Sequence, residues 1–214
     1  GAIDEAVRPA LPLVEKLAQV AIALATDVVA TIDVEVRGEI SALDVSVLAT
    51  SALKGALIGM GAEDVTYVNA PALASERALT SNISTNAESP DHRNLVSVRA
   101  ACADGSKVLV SGTLMGIKQI QKIVAIDALD LDLKPTSNLL FLRYSDQPGV
   151  VGVVGNALGK LKINIADMQV GRTEVGGQAL MALTVDSVIP NDLLQIITKE
   201  TGASLVRFVN LVNE

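Results

Sequence analysis

The chain has 214 residues, a formal net charge of −7 and a hydrophobic fraction of 50%, but only 2% of the residues are aromatic. This supply of Ala, Val, Leu and Ile is enough for a core and excludes a disordered chain, and the length suits one large domain or two smaller ones. An acidic chain with few aromatic residues lacks the phosphate electrostatics and stacking side chains of a nucleic-acid-binding protein. The single Cys102 excludes an internal disulfide and a multi-cysteine metal site.

The chain is also expected to have no membrane partner. No apolar run approaches the roughly 18 residues of a membrane span, and the segment Gly1 to Glu5 lacks the basic and apolar regions of a signal peptide. Its first residues are typical of a cut within a longer protein. With one histidine, His92, the sequence predicts neither a metal centre nor a catalytic site. We therefore expect a cytoplasmic chain.

Hydrophobic periodicity predicts a mixed α+β domain over residues 1–136. The expected elements are a helix from Pro9 to Leu24, a strand over 32–36 closed by Gly38, a helix over 45–57, a short strand over 65–70, a helical turn or two over 72–79, strands over 94–102 and 107–115 joined by Asp104-Gly105, and a strand over 129–133. Residues 117–126 fit a helix and a strand equally well. The short polar segment Pro135-Thr136-Ser137 is the predicted domain boundary.

Residues 137–214 predict a second α+β domain. Strands over 139–144, 163–170, 178–185 and 203–211 alternate with helices over 150–161 and from Pro190 onward. This order, strand–helix–strand–strand–helix–strand, is the split βαβ or ferredoxin-like arrangement.

The loop Ser145-Asp146-Gln147-Pro148-Gly149 is the most informative stretch. A helix starts directly after Gly149, and its first free N–H groups, around Val150, make an anion site suited to a carboxylate. Asp146, just upstream, can hold an ammonium group, so the spacing suits a zwitterion. Asn164 can donate to and accept from an amino acid. In the alternative interpretation, Asp146 caps the helix and Asn164 is an ordinary turn residue, as is common for these residue types.

The loop and the elements around it closely resemble an ACT domain, the amino-acid-sensing module, over roughly residues 138–214. Upstream, the segments 66–74 (TYVNAPALA), 88–93 (ESPDHR) and 110–114 (VSGTL) resemble the intervening, or allosteric substrate-binding, domain of the long-form D-3-phosphoglycerate dehydrogenase family. The resemblance therefore implies the C-terminal regulatory half of a member of that family.

In that family the ACT domains pair across a two-fold axis, and L-serine, the pathway's end product, binds at their interface as a feedback inhibitor. By position, Tyr144 and Asp146 of one chain and Asn164 of its partner match the serine contacts, and Gly149 and Val150 supply backbone. The resemblance also implies self-association into a dimer or tetramer. The hydride chemistry and its NAD belong to a catalytic half that these residues do not contain, so no cofactor is expected in this chain.

A second site is implied less clearly. Some relatives bind a phosphate-bearing effector near the boundary of the ACT domain, and Lys122 and Lys134 lie near the matching positions. The His and Arg residues of that site have no counterpart here, and Asp130 and Asp132 would cancel much of the positive field. Solvated surface lysines are the preferred interpretation.

Two other functions remain open. Similar domains build the regulatory half of an L-serine dehydratase, whose iron–sulfur cluster the single cysteine argues against placing in this chain. A free-standing ACT-type sensor of another small amino acid is the other alternative.

Overall fold

The computed structural model describes residues 2–211. It divides after Asp127 into two compact units. This division precedes the boundary expected after Thr136, which stays a prediction.

The first unit is an α+β layer structure. Its helices are α1 (Ala10–Leu24), α2 (Val47–Gly59) and α3 (Ala70–Glu76), with a 3-10 turn at Glu39–Ala42; its strands are β1 (Val29–Gly38), β2 (Thr80–Asn86), β3 (Asn94–Cys102), β4 (Lys107–Met115) and β5 (Ile120–Ile126). The strands lie in the order β2-β1-β3-β4-β5. Strand β2 runs parallel to β1, whereas the other neighbours are antiparallel.

The core of the first unit lies between this sheet and the helix pair α1 and α2. The apolar stripe of α1, which includes Val14 and Leu17, is fully buried, as are Ile32 and Val36 of β1. Alternate residues of β1 are buried because successive side chains of a strand point to opposite faces. The helices predicted from Pro9 to Leu24 and over 45–57, and the hairpin at Asp104-Gly105, are therefore confirmed.

The structure of this unit differs from the expectations at three places. The short strand predicted over 65–70 is wrong, because residues 67–69 form a turn in which Val68 is 92% exposed, and Ala70 already begins α3. Thr66 and Asn69 close this turn reciprocally: the Thr66 N–H donates to Asn69 Oδ1 at 2.7 Å, and the Asn69 N–H donates to Thr66 Oγ1 at 3.2 Å. The ambiguity over 117–126 is resolved as the strand β5, and β2 was not predicted at all.

The second unit has the predicted ferredoxin-like order. After the strand β6 (Leu129–Leu133) come β7 (Asn138–Ser145), α4 (Val150–Lys160), β8 (Ile165–Arg172), β9 (Gln178–Val185), α5 (Asn191–Thr201) and β10 (Leu205–Asn210). Strands β7 to β10 form one antiparallel sheet in the order β10-β7-β9-β8, so β10 and β8 are its edges.

Helices α4 and α5 cover one face of this sheet. Leu140 and Leu142 of β7 pack there with Val154 and Leu158 of α4 and Ile197 of α5, and all five are fully buried. The predicted helices begin where expected because their apolar residues recur at helical spacing and must face the sheet. This packing fixes the start of α4, and therefore the loop before it, relative to the end of β7.

Candidate functional site

The loop between β7 and α4 is shaped by Gly149. This residue has φ +96°, a left-handed conformation that glycine adopts without the steric cost borne by other residues. A Cβ at Gly149 would meet nothing within 4 Å, so the positive φ rather than close packing favours glycine there. The turn lets α4 begin immediately at Val150.

The first turn of α4 keeps its anion-binding capacity. No side chain caps this helix, and its first turn contains no acidic residue. The hydrogen-bonding pattern of the helix starts only with the Val153 N–H, which donates to the Gly149 carbonyl at 3.0 Å. The amides at Val150 and the next two residues point out of the helix end, where they can donate to a carboxylate. The Val150 side chain itself is 5% exposed and belongs to the core.

Asp146 does not cap α4, so the capping interpretation of this residue is wrong. Its carboxylate Oδ2 instead accepts from Arg172 Nη1 at 3.2 Å and from the Gly176 N–H at 3.4 Å. Its own N–H donates to the Gly177 carbonyl at 2.8 Å. The loop is thus fastened to the β8–β9 hairpin, and the carboxylate, whose side chain is 18% exposed, is held in the short loop that leads into α4.

Tyr144 is the last buried residue of β7. It is 3% exposed and packs in the core beneath α4. Burial, and next the charge of Asp146, raise the pKa of the Tyr144 hydroxyl, whereas the guanidinium of Arg172 opposes this shift. The phenol is therefore electrostatically coupled to the Asp146–Arg172 pair, and sequence reasoning did not single out Arg172.

Asn164 lies at the other end of α4. This helix has 11 residues, which at 1.5 Å per residue separates its ends by about 16 Å. Asn164 precedes β8, its carbonyl accepts from the Asp186 N–H at 3.1 Å, and its side chain is exposed. Within one chain, the fold brings Tyr144, Asp146, Gly149 and Val150 together and leaves Asn164 apart.

The two lysines of the implied phosphate site lie in different units. Lys122 is on β5, opposite Thr113 of β4, and Lys134 is an exposed residue after β6. The phosphate site therefore stays a prediction.

The described residues, 2–211, contain no group of three His, Cys, Asp or Glu side chains placed so that they could hold a metal ion. No helix in the described part of the chain is both long and apolar enough to cross a membrane.

The second unit also has a groove between α4 and α5. It has a volume of about 560 Å³ and is lined mainly by apolar side chains such as Leu161, Leu193 and Ile196, with Lys160 and Lys199 at its rim. It lies away from Asp146.

Comparison with protein families identifies both units. Residues 6–127 match the family described as D-3-phosphoglycerate dehydrogenase intervening domain, and residues 138–202 match the ACT domain.

Comparison with individual proteins agrees with these matches. The chain is 40% identical over 211 residues to the D-3-phosphoglycerate dehydrogenase of Mycobacterium leprae, covering 99% of this chain and 40% of that protein. It is 34% identical over 201 residues to the enzyme of that name from Synechocystis, covering 94% of this chain and 36% of that protein. The chain thus spans about two fifths of the length of these relatives.

Proposed function

Because the chain belongs to the D-3-phosphoglycerate dehydrogenase intervening-domain family and carries an ACT domain, we propose that it is the regulatory part of such a dehydrogenase, an NAD-dependent cytoplasmic enzyme. In this proposal L-serine binds between two ACT domains and lowers the rate of the enzyme. Such an effector can shift the enzyme only by the difference between its affinities for two conformational states.

The observation that carries the proposal is the placement of Asp146. Its carboxylate is held by Arg172 and the Gly176 N–H, in the loop that leads directly into the uncapped start of α4. An α-amino acid presents an ammonium and a carboxylate a few ångströms apart, so the first group suits Asp146 and the second suits the amides at Val150. Tyr144, two residues before Asp146 at the end of β7, would lie next to the same ligand.

The position of Asn164 supports a second copy as the partner. Strand β8 is a sheet edge, and edge strands present unpaired backbone groups that favour pairing. Two copies of β8 paired antiparallel about a two-fold axis at Met168 would place Asn164 of one copy opposite Arg172 of the other, because both residues lie four positions from Met168. The proposed site would then be complete only in the dimer.

The test is calorimetric titration of the whole chain with L-serine, with D-serine and glycine as comparison ligands. We expect saturable L-serine binding that Asp146→Asn weakens by about thirtyfold or more, because the loss of a charged partner removes about 2 kcal/mol or more. Asp192→Asn, which alters an exposed carboxylate of α5, is the matched control and should bind normally. Absence of L-serine binding to a folded dimer would refute the proposal, and preference for another amino acid would favour a different sensor.

Mixing two variants tests the shared site. Asp146→Asn and Asn164→Ala should each bind poorly as homodimers. When the two variants are mixed in equal amounts, half of the dimers contain one chain of each variant. One of the two sites in each such dimer is intact, so about a quarter of all sites should bind L-serine again. Recovery of no sites would show that Asp146 and Asn164 do not act across a two-fold interface.

A further inference from the structure

Arg172 and Asp146 form an ion pair at the proposed effector site. Arg172 ends β8, opposite Ala179 of β9, and its Nη1 lies 3.2 Å from Asp146 Oδ2. The side chain of Arg172 is 53% exposed, whereas that of Asp146 is 18% exposed. The pair therefore places a cation and an anion side by side where the proposed ligand would bind.

We propose that Arg172 makes this site selective for zwitterionic α-amino acids over simple amines. The inference deepens the proposed function and rests on it. Alone, the carboxylate of Asp146 would attract any ammonium group. With Arg172 beside it the local charge is zero, so an amine gains little attraction and is opposed by the guanidinium, whereas the carboxylate of an amino acid is attracted by it.

The hydrogen bonds of Asp146 leave room for a ligand. Both contacts to its carboxylate, from Arg172 and from the Gly176 N–H, use Oδ2. Because a carboxylate has two oxygens, Oδ1 can accept from a ligand ammonium while the ion pair stays intact. Arg172 does not have to leave for the ligand to bind.

The guanidinium has donors to spare as well. It carries five N–H groups in a rigid fork that matches carboxylate geometry, and one nitrogen is engaged with Asp146. The remaining donors are on a side chain that is half exposed. They can act together with the amides at the start of α4, so the two features favour the same chemical group on the ligand.

A purely structural role makes a different prediction. Arg172 also links the end of β8 to the β7–α4 loop and could serve only as a brace. Loss of a brace would weaken every ligand by the same factor, whereas loss of a selective group changes the ratio of affinities. The ratio is therefore the deciding measurement.

The experiment compares L-serine with ethanolamine, which is serine without its carboxylate, by calorimetry on the whole chain. In Arg172→Gln we expect L-serine to bind about tenfold more weakly and ethanolamine to bind as well as or better than before, so the ratio falls by at least about tenfold. Arg172→Lys keeps the charge and should restore most of the ratio. Lys160→Gln, which removes an exposed cation from the last turn of α4, is the matched control and should leave it unchanged.

The two possible failures are separable. Equal weakening of both ligands in Arg172→Gln, or a ratio that stays within about twofold, would overturn the role of Arg172 while L-serine binding by the unaltered chain upholds the proposed function. Failure of the unaltered chain to bind L-serine would overturn both.

Discussion

A buried ion pair between α1 and α2 allows a sharp test of what stabilises the first unit. Lys54 Nζ lies 3.1 Å from Glu15 Oε2, and the two side chains are only 7% and 16% exposed. The Tyr67 hydroxyl donates to Glu15, and Lys54 Nζ lies 4.7 Å from the centroid of the Tyr67 ring. Glu15 therefore links α1 both to Lys54 of α2 and, through Tyr67, to the turn closed by Thr66 and Asn69.

Glu15→Gln removes the charge but retains an oxygen that can accept from Tyr67. The buried Lys54 ammonium then loses the negative charge of Glu15 beside it, and breaking a buried ion pair typically costs about 3–5 kcal/mol. Since Glu15 is partly exposed, we expect the lower end, about 3 kcal/mol, which for a unit of this size lowers the Tm by about 10 °C. Urea unfolding followed by circular dichroism, together with calorimetric melting, measures both quantities.

Two further variants identify the cause. Glu35→Gln breaks the Arg37–Glu35 pair, whose side chains are 34% and 38% exposed, and should change stability by less than about 0.5 kcal/mol. Glu15→Gln combined with Lys54→Met removes both charges and should recover more than half of the loss. A decrease for Glu15→Gln no larger than that for Glu35→Gln, or a double variant as unstable as the single one, would refute the reasoning.

Three other predictions concern the packing of two glycines, the charges around Tyr144 and the turn at Asp104. Gly55→Ala should lower the free energy of unfolding by more than about 1 kcal/mol, because the added Cβ would overlap the Glu15 carbonyl. Gly155→Ala should raise it by about 0.5–1 kcal/mol, because its Cβ meets nothing within 4 Å and alanine favours the helix α4. Urea unfolding measures both changes, and changes of the same sign would contradict the packing. In ¹³C-tyrosine NMR titrations, Asp146→Asn should lower the pKa of Tyr144 and Arg172→Gln should raise it, because the two charges act on the phenol with opposite signs; a pKa of Tyr144 that neither change moves would refute the coupling. Hydrogen bonds from Ser106 lower the pKa of Asp104, so their contribution to the stability of the β3–β4 turn should be lost as pH falls through that lowered pKa. Ser106→Ala removes the hydroxyl and should raise the pKa of Asp104 in a carboxyl NMR titration. An unchanged pKa would exclude the Ser106 hydroxyl as the cause.

Much of the fold could be predicted because local patterns in this chain coincide with burial. The strand bounds over 94–102, 107–115 and 178–185 match the structure, and the helix α4 begins at Val150 as expected. In the site, Asp146, Gly149 and Val150 could be found together because they are close in sequence. Their roles as serine contacts stay a prediction, as do those of Tyr144 and Asn164.

Elsewhere the local pattern was insufficient. The stretch Val65 to Ala70 is rich in the β-branched and aromatic residues that favour strands, but the side chains of Thr66 and Asn69 bond to each other's backbone and close a turn. Strand β2 was missed for the opposite reason, since Ser and Asn dominate it and such residues are depleted in strands. It is a strand because its backbone pairs in parallel with β1, some 50 residues earlier in the chain.

Sequence patterns were sufficient for the order of elements in the second unit, for α1, α2 and the β3–β4 hairpin of the first, and for the loop that begins α4, because hydrophobic periodicity and turn residues act over a few neighbouring positions. The pairing of Asp146 with Arg172, 26 residues away, instead of helix capping depends on the tertiary structure. The tertiary structure also decided that Asn164 lies at the far end of α4. Both outcomes depend on how β8 returns along the sheet, and no short stretch of sequence encodes the distance between residues that the sheet brings together or keeps apart.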